Sequence, residues 1–237
     1  MKPKESAETP ADRKPEPVPT WDNERSLFAR GLSLVAGVDE AGRGAWAGPL
    51  VAASVIFHSK SLIDAPTEDD SLSTELLALR DSKLLSECMR EELSSVIHRR
   101  ALAVGIGIVS AALVDVIGLG AANRLAMARA VRDLGIWPEY LLIDAFRLPS
   151  LPIPQLPIIK GDATCMSIAA ASVIAKVTRD RIMQNQDTLC PGYDFSRHKG
   201  YGTRHHVRML ERLGVSPQHR RSYAPIKLLL AGQEQGA

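Results

Sequence analysis

Four acidic residues in this 237-residue chain stand where they could do chemistry together. Asp39 and Glu40 end an apolar run in GVDEAGRGAWAGP. Asp144 ends YLLID, and Asp162 ends PIIKGD. A single acid after a strand is usually a turn former or a helix N-cap. Several acids at the ends of strands that lie side by side converge on one edge of a sheet. Like charges brought that close raise one another's pKa unless a cation neutralises them. Oxygen-only ligands point to a hard divalent cation, Mg2+ or Mn2+. Two such ions about 3.5–4 Å apart can activate water and stabilise the leaving oxygen of an in-line phosphate displacement. Neither a Ser/His/Asp triad nor a cysteine nucleophile has comparable local support.

Beside the first acids lies Gly42-Arg43-Gly44. Glycines let backbone N–H groups approach a phosphate or sugar closely. Arg43 offers charge-assisted donors to phosphate. Other glycine motifs fit poorly. There is no GxxxxGK[ST], the GxGxxG spacing is missed by one residue, and the preceding acids would repel a pyrophosphate.

The elements that must position these residues can be read from hydrophobic period. Strands are predicted at 32–38 and 50–57, an antiparallel pair, and at 101–110, 140–144 and 157–162. Ser86 is placed to cap a helix reaching about residue 100, with Met89, Leu93, Val96 and Ile97 on one face. Further helices are predicted at 121–134, along the alanine-rich run 163–186, and at 203–213. Three early strands followed by alternating strands and helices make a mixed α/β sheet. Residues 1–30 are rich in proline and charge and are expected to be a disordered extension. Residues 31–230 are expected to form one domain, and 231–237 a loose tail.

With 45% hydrophobic residues the chain can fill a core. Cys88, Cys165 and Cys190 are far apart and odd in number, which argues against a disulfide framework or zinc site. No apolar run is long enough to cross a bilayer, and residues 1–20 are not leader-like. A cytoplasmic protein without membrane association is the expectation. The net charge of +2 hides a polarity. Residues 60–92 carry nine acids against four bases; residues 158–227 carry twelve bases against five acids, besides His198, His205, His206 and His219. A basic C-terminal third suits a polyanion partner.

The motifs GVDEAGRG…AGP, DSK (81–83), LLIDA (141–145), KGDATCMSIAAASVIAKVTRDR and HKGYGTRHH (198–206) resemble, in order and spacing, those of ribonuclease HII. The resemblance spans roughly residues 35–225. It implies a ribonuclease H-like fold: a central mixed five-stranded sheet flanked by helices, with a helical C-terminal part. It implies an endonuclease that uses Mg2+ or Mn2+, two ions during catalysis. The implied substrates are RNA/DNA hybrids and single ribonucleotides in duplex DNA, cut on their 5′ side to leave 3′-OH and 5′-phosphate ends. Such an enzyme would serve RNA primer removal and ribonucleotide excision repair. A monomer is expected, with a replication or repair protein as a conceivable partner.

By resemblance the metal-binding and catalytic acids are Asp39, Glu40, Asp144 and Asp162. Gly42, Arg43 and Gly44 would read the 2′-hydroxyl, the only local difference between RNA and DNA. Tyr201 would stack on the next sugar and favour deoxyribose. Lys83 resembles a phosphate contact. His198, Lys199, Arg204 and His205 are expected to line a backbone track with salt-sensitive binding. Asp180 reads as a surface partner of an arginine, and Ser167 and Ser172 as packing residues. Two departures from the family pattern are Ala145 in place of glycine and Ala45-Trp46 in place of proline after the glycine-arginine-glycine. Alternative readings are another ribonuclease H-like nuclease with different substrate reading, or a non-catalytic nucleic-acid binder. A binder has no use for four acids in a basic protein.

Overall fold

The apolar runs form one five-stranded sheet in a computed structural model that describes residues 17–59, 75, 76, 79 and 85–234. The strands are β1 (Val35–Ala41), β2 (Leu50–Phe57), β3 (Ala101–Val109), β4 (Tyr140–Asp144) and β5 (Gln155–Ile158), in the order β3-β2-β1-β4-β5. All eight residues of β2 are buried, as an unbroken apolar run on a strand covered on both faces requires. β2 pairs antiparallel with β1 and β3. β1, β4 and β5 run parallel. The C-terminal ends of those three strands therefore meet at one edge.

Helices cover both faces. α1 (Asp22–Phe28) precedes the sheet; α2 (Glu87–Arg100), α3 (Ala111–Ile117) and α4 (Leu119–Arg132) follow β2 and β3. The turn α5 (Gly161–Thr164) leads into the 24-residue α6 (Met166–Leu189). α7 (Phe195–His198), α8 (Arg204–Leu213) and α9 (Ala224–Glu234) build the C-terminal part. One face packs Val35, Ala53 and Val55 against α6 and Leu93 and Ile97 of α2. The other packs Ala36, Val38 and Ile56 against Ala122, Ala126 and Met127 of α4. A third cluster, around Met183, Phe195, Leu210 and Ile226, joins the C-terminal helices to α6.

Local chemistry explains several boundaries. Ser86 Oγ accepts from Met89 N at 3.2 Å and starts α2 as the sequence predicts. Met89 itself is exposed rather than on the buried face. α6 lies hard against β1: a Cβ on Gly37 would come within 2.2 Å of the Ser167 carbonyl carbon. Ala170 and Ala171, three and four residues beyond Ser167 and both buried, continue that close face.

Four expectations are corrected. Residues 22–28 are helical rather than part of a disordered extension, because Trp21, Leu27 and Phe28 are buried and Trp21 meets Phe57 edge-on at 5.2 Å. The buried Glu24 carboxylate accepts from Ser167 N at 2.8 Å and so caps α6. At the other terminus α9 runs to Glu234, into the expected loose tail, with Ile226 fully buried. β1 extends through Asp39 and Glu40, because its ladder with β2 continues to the Ala41–Val51 pair. β5 begins and ends earlier than predicted, because Ile159 is exposed and Lys160 turns left-handed at φ 56°. Residues 1–16, the acidic stretch 67–70 and the DSK motif with Lys83 lie outside the described residues. Among the described residues no helix is long and apolar enough to cross a membrane.

Candidate active site

The parallel strands bring the four acids to one cavity. It has a volume of about 610 Å³ and is lined by Asp39, Glu40, Asp144 and Asp162 together with Gly42, Arg43 and Gly44 and with Tyr201. Asp39 lies one step past the Val38–Ile143 pair, level with Asp144, the last residue of β4. Asp162 sits in α5, directly after β5. Asp144 Oδ1 accepts from Gly161 N at 2.8 Å and ties that turn to β4.

Neighbouring residues of a strand face opposite ways. Asp39 faces α6, where Ser172 hydrogen-bonds its carboxyl, and Glu40 faces α4, where Asn123 does the same. Burial, then the charges of Glu40 and Asp144, push the Asp39 pKa well above the usual carboxylate range. Burial also raises Glu40, against the opposing pull of Arg43, whose Nη1 is 3.5 Å from Glu40 Oε1. The Arg43 guanidinium also lies 4.9 Å over the Phe146 ring. Its side chain is held between Glu40 and Phe146, and Gly42 and Gly44 line the cavity with backbone alone.

Among the described residues no three of these carboxylates close into a ready ligand set. Asp144 is turned to Gly161 and Glu40 to Arg43. The donor set nevertheless fits a hard divalent cation. All the candidate ligands are oxygens, their charges repel, and Glu40 Oε2 is buried without a hydrogen-bond partner.

Three basic or hydroxyl side chains of the cavity were not read as site residues: Arg90, Ser172 and Lys176. Ser172 is a correction, since it reaches Asp39 rather than serving only packing. Asp180 is another. It is buried, not a surface residue; Oδ1 accepts from Lys176 Nζ at 2.7 Å, and Oδ2 is 3.6 Å from Arg90 Nη2. Burial lowers the Lys176 pKa, and Asp180 partly restores it. The signal was present in the sequence, because 172, 176 and 180 are spaced four apart and share one helix face.

Tyr201 is half-buried, with Lys176 Nζ 5.6 Å and Arg179 Cζ 5.3 Å from its ring centre. The proposed backbone track is not assembled as expected. His198 is buried; its Nε2 donates to Tyr193 O at 2.8 Å, and its Nδ1 accepts from Gly200 N at 3.2 Å. Lys199 is buried too, with Nζ 3.4 Å from Glu87 Oε1. His205 pairs with Asp194 at 2.6 Å. Arg204 is exposed at the start of α8 and does not line the cavity. The aromatic stacking that draws the histidines inward, His198 on His206 at 4.2 Å, has no marker in HKGYGTRHH.

The two departures are visible in the structure. Ala145 adopts φ 55°, a left-handed conformation that glycine holds more easily. Trp46 N donates to Gly200 O at 2.8 Å, and its ring packs on Gly202, so it docks the loop onto the 200–202 turn.

Comparisons with known proteins agree with this arrangement. The sequence profile described as Ribonuclease HII matches residues 36–226. The ribonuclease HII of Geobacillus kaustophilus is 49% identical over 212 residues, covering 90% of this chain and 76% of its own. The fold is that of the ribonuclease H2 from Pyrococcus horikoshii OT3, with a TM-score of 0.68 at 24% identity over 85% of this chain and 99% of that one. Bst-RNase HIII, solved in complex with Mn2+, has a TM-score of 0.61 at 20% identity over 97% of this chain and 77% of its own. With a family profile across the whole sheet and near-half identity to a curated relative, the chain belongs to the ribonuclease HII family and is an endonuclease of the ribonuclease H type.

Proposed function

We propose that this enzyme hydrolyses the RNA strand of RNA/DNA hybrids and nicks duplex DNA on the 5′ side of a single embedded ribonucleotide. The ends left are a 3′-hydroxyl and a 5′-phosphate. The observation that carries the reading is the shared cavity. Asp39, Glu40 and Asp144 near strand ends, Asp162 in the turn after β5, the glycine-flanked backbone of 42–44 and Tyr201 line one space. That space is large enough for a phosphodiester and its sugar.

Asp39, Glu40, Asp144 and Asp162 are the residues that would hold divalent cations. Bst-RNase HIII, which shares the fold, was solved with Mn2+, and this supports a divalent ion here. Bound Mg2+ or Mn2+ supplies the Lewis-acid charge that phosphodiester hydrolysis needs. The protein's own groups do the selecting. Gly44 has open space where a side chain would be, so its backbone can meet a ribose closely. The 2′-hydroxyl is the group such a contact can distinguish. Tyr201 offers an aromatic face to the next sugar, where a deoxyribose packs and an added hydroxyl crowds. Arg90 and Lys176, held by buried Asp180, face the backbone phosphates.

A four-duplex panel tests the reading: all-DNA, RNA/DNA hybrid, single-ribonucleotide DNA and all-RNA, each with Mg2+ or with EDTA. Metal-dependent cutting of the hybrid and of the single-ribonucleotide duplex alone is expected. Equal cutting of all-DNA would contradict it.

A further inference from the structure

Two arginines, both 0% exposed, lie under the loop that carries Gly42, Arg43 and Gly44. Arg179 comes from α6. Its Nε donates to Pro49 O at 3.0 Å, its Nη2 to Ala47 O at 3.0 Å, and its Nη1 to Lys199 O at 2.9 Å. Its guanidinium lies 5.3 Å from the centre of the Tyr201 ring. Arg220 comes from the segment before α9. Its Nε donates to Gly48 O at 3.1 Å, and its Nη1 to Arg43 O at 3.2 Å and Tyr223 Oη at 2.8 Å. Tyr223 Oη donates to the same Arg43 carbonyl. Arginine is among the residues least often fully buried, and a buried cation needs oxygens around it. Here the oxygens are backbone carbonyls of residues 43–49 and 199.

That choice has a consequence for the substrate side. Carbonyl and N–H of one trans peptide point opposite ways. With Arg43 O drawn down to Arg220 and Tyr223, Gly44 N–H points away from both, and no side chain at Gly44 crowds the loop there. Gly42 has the reverse role. A Cβ there would come within 2.1 Å of Arg179 Nε, so this glycine exists to admit the guanidinium. Arg179 also bonds the 199–201 turn, and Trp46 N and Ala47 N both donate to Gly200 O. The backbone that meets one sugar is thus fastened through Arg43 O to Arg220, the turn that carries the ring is fastened through Lys199 O to Arg179, and the two cations bond neighbouring carbonyls at 47–49 between them.

We propose that Arg179 and Arg220 are positioning residues for substrate selection. They hold the 42–49 loop and the 199–201 turn as one rigid unit and so fix the spacing between Gly44 N–H and the Tyr201 ring. This rests on the substrate reading above. It predicts that loosening the unit harms a junction, where both neighbouring sugars are inspected, more than a uniform hybrid.

The test compares the wild type with Arg179→Lys, Arg220→Lys and Tyr223→Phe. The last removes one hydroxyl and leaves both cations. Two quantities are read: the ratio of kcat/KM on single-ribonucleotide duplex to that on hybrid, and hydrogen exchange of the amides at 46–48 and 199–202 in the free enzyme. In Arg179→Lys the ratio falls by about tenfold or more, the scale expected when reacting groups are misplaced by about an ångström. Exchange speeds up in 46–48 and 199–202 together. Tyr223→Phe gives a smaller fall in the same direction at nearly unchanged Tm. If kcat/KM falls equally on both substrates, or exchange is unchanged in a folded variant, the proposal is overturned. If Arg179→Lys does not fold, Tyr223→Phe and Arg220→Lys decide by the same two readings. A wild type that cuts hybrid but never the junction defeats the substrate reading instead, and exchange alone then judges the clamp.

Discussion

Asp39 and Asp144 stand level on adjacent parallel strands, one residue past the Val38–Ile143 pair. The Asp39 pKa is raised by burial first and then by the charges of Glu40 and Asp144. The charge repulsion is built into the register of the sheet.

Asp39→Asn should therefore lose activity and gain stability. Loss of about a thousandfold or more in kcat is expected for removing a group on which charge stabilisation depends. The folded form holds the Asp39 proton more tightly than the unfolded chain does, so its contribution is full at low pH and is lost as pH rises through the folded pKa. In EDTA the Asn variant should melt above the wild type at pH 8, and the gap should close toward pH 4. A variant that melts lower at pH 8 would count against the site's electrostatics.

The two glycines of the loop should respond differently. Gly44→Ala adds a methyl to open space and should keep the Tm within about 2 °C while raising KM on ribonucleotide substrates. Gly42→Ala must displace Arg179 and also hold φ 94°, so it should lose about 2–4 kcal/mol of stability. Denaturant melts and steady-state kinetics separate the two. Similar losses of stability in both would contradict the division of roles.

Buried histidines give a second pH signature. His206 Nδ1 lies 3.0 Å from Tyr201 O and must donate to it. His206 Nε2 then accepts from His219 Nε2 at 2.9 Å, and His219 Nδ1 accepts from Ser216 N at 3.0 Å. Burial lowers His206 to about 3 and His219 to about 4. The unfolded chain takes up these protons near pH 6.5, so their contribution to stability is present above that pH and drains away as pH falls toward 4 and 3. Nitrogen NMR at pH 5.5 should find both rings neutral, His206 protonated at Nδ1. Midpoints near 6.5 would refute this network.

Ala145, at φ 55° beside Asp144, carries backbone strain that glycine would relieve. Ala145→Gly should stabilise the fold by about 0.5–1 kcal/mol, the left-handed penalty less the entropy of glycine. A chemical melt that shows destabilisation would mean that the local geometry is set by contacts of the methyl group.

Much of this site could be read from the chain because strand ends announce themselves. Asp39, Glu40, Asp144 and Asp162 each close an apolar run, and helices between β1 and β4 leave room for the crossover that their parallel pairing needs, whereas β4 and β5 are joined by residues 145–154 without a helix. What escaped notice depends on docking. Ser172 and Lys176 reach the cavity only because Gly37 lets α6 press onto β1. Arg179 and Arg220 look like ordinary surface bases in VTRDR and HRRS, and nothing local announces that backbone carbonyls will bury them. His198 is buried for the same reason: a histidine in a basic motif reads as part of a backbone track until its neighbours' rings are placed. Residues 21–28 were hidden by the proline and charge that precede them.

The central claim is that one cavity holds both the hydrolytic carboxylates and the ribose-reading backbone. Mapping the cut on a 5′-labelled DNA duplex with one ribonucleotide tests it most directly, with Mg2+, with EDTA, and with Asp39→Asn. A single Mg2+-dependent nick 5′ to the ribonucleotide, absent in the other two reactions, is the predicted result. Cuts scattered through the deoxynucleotides, or the same nick made by Asp39→Asn, would contradict it.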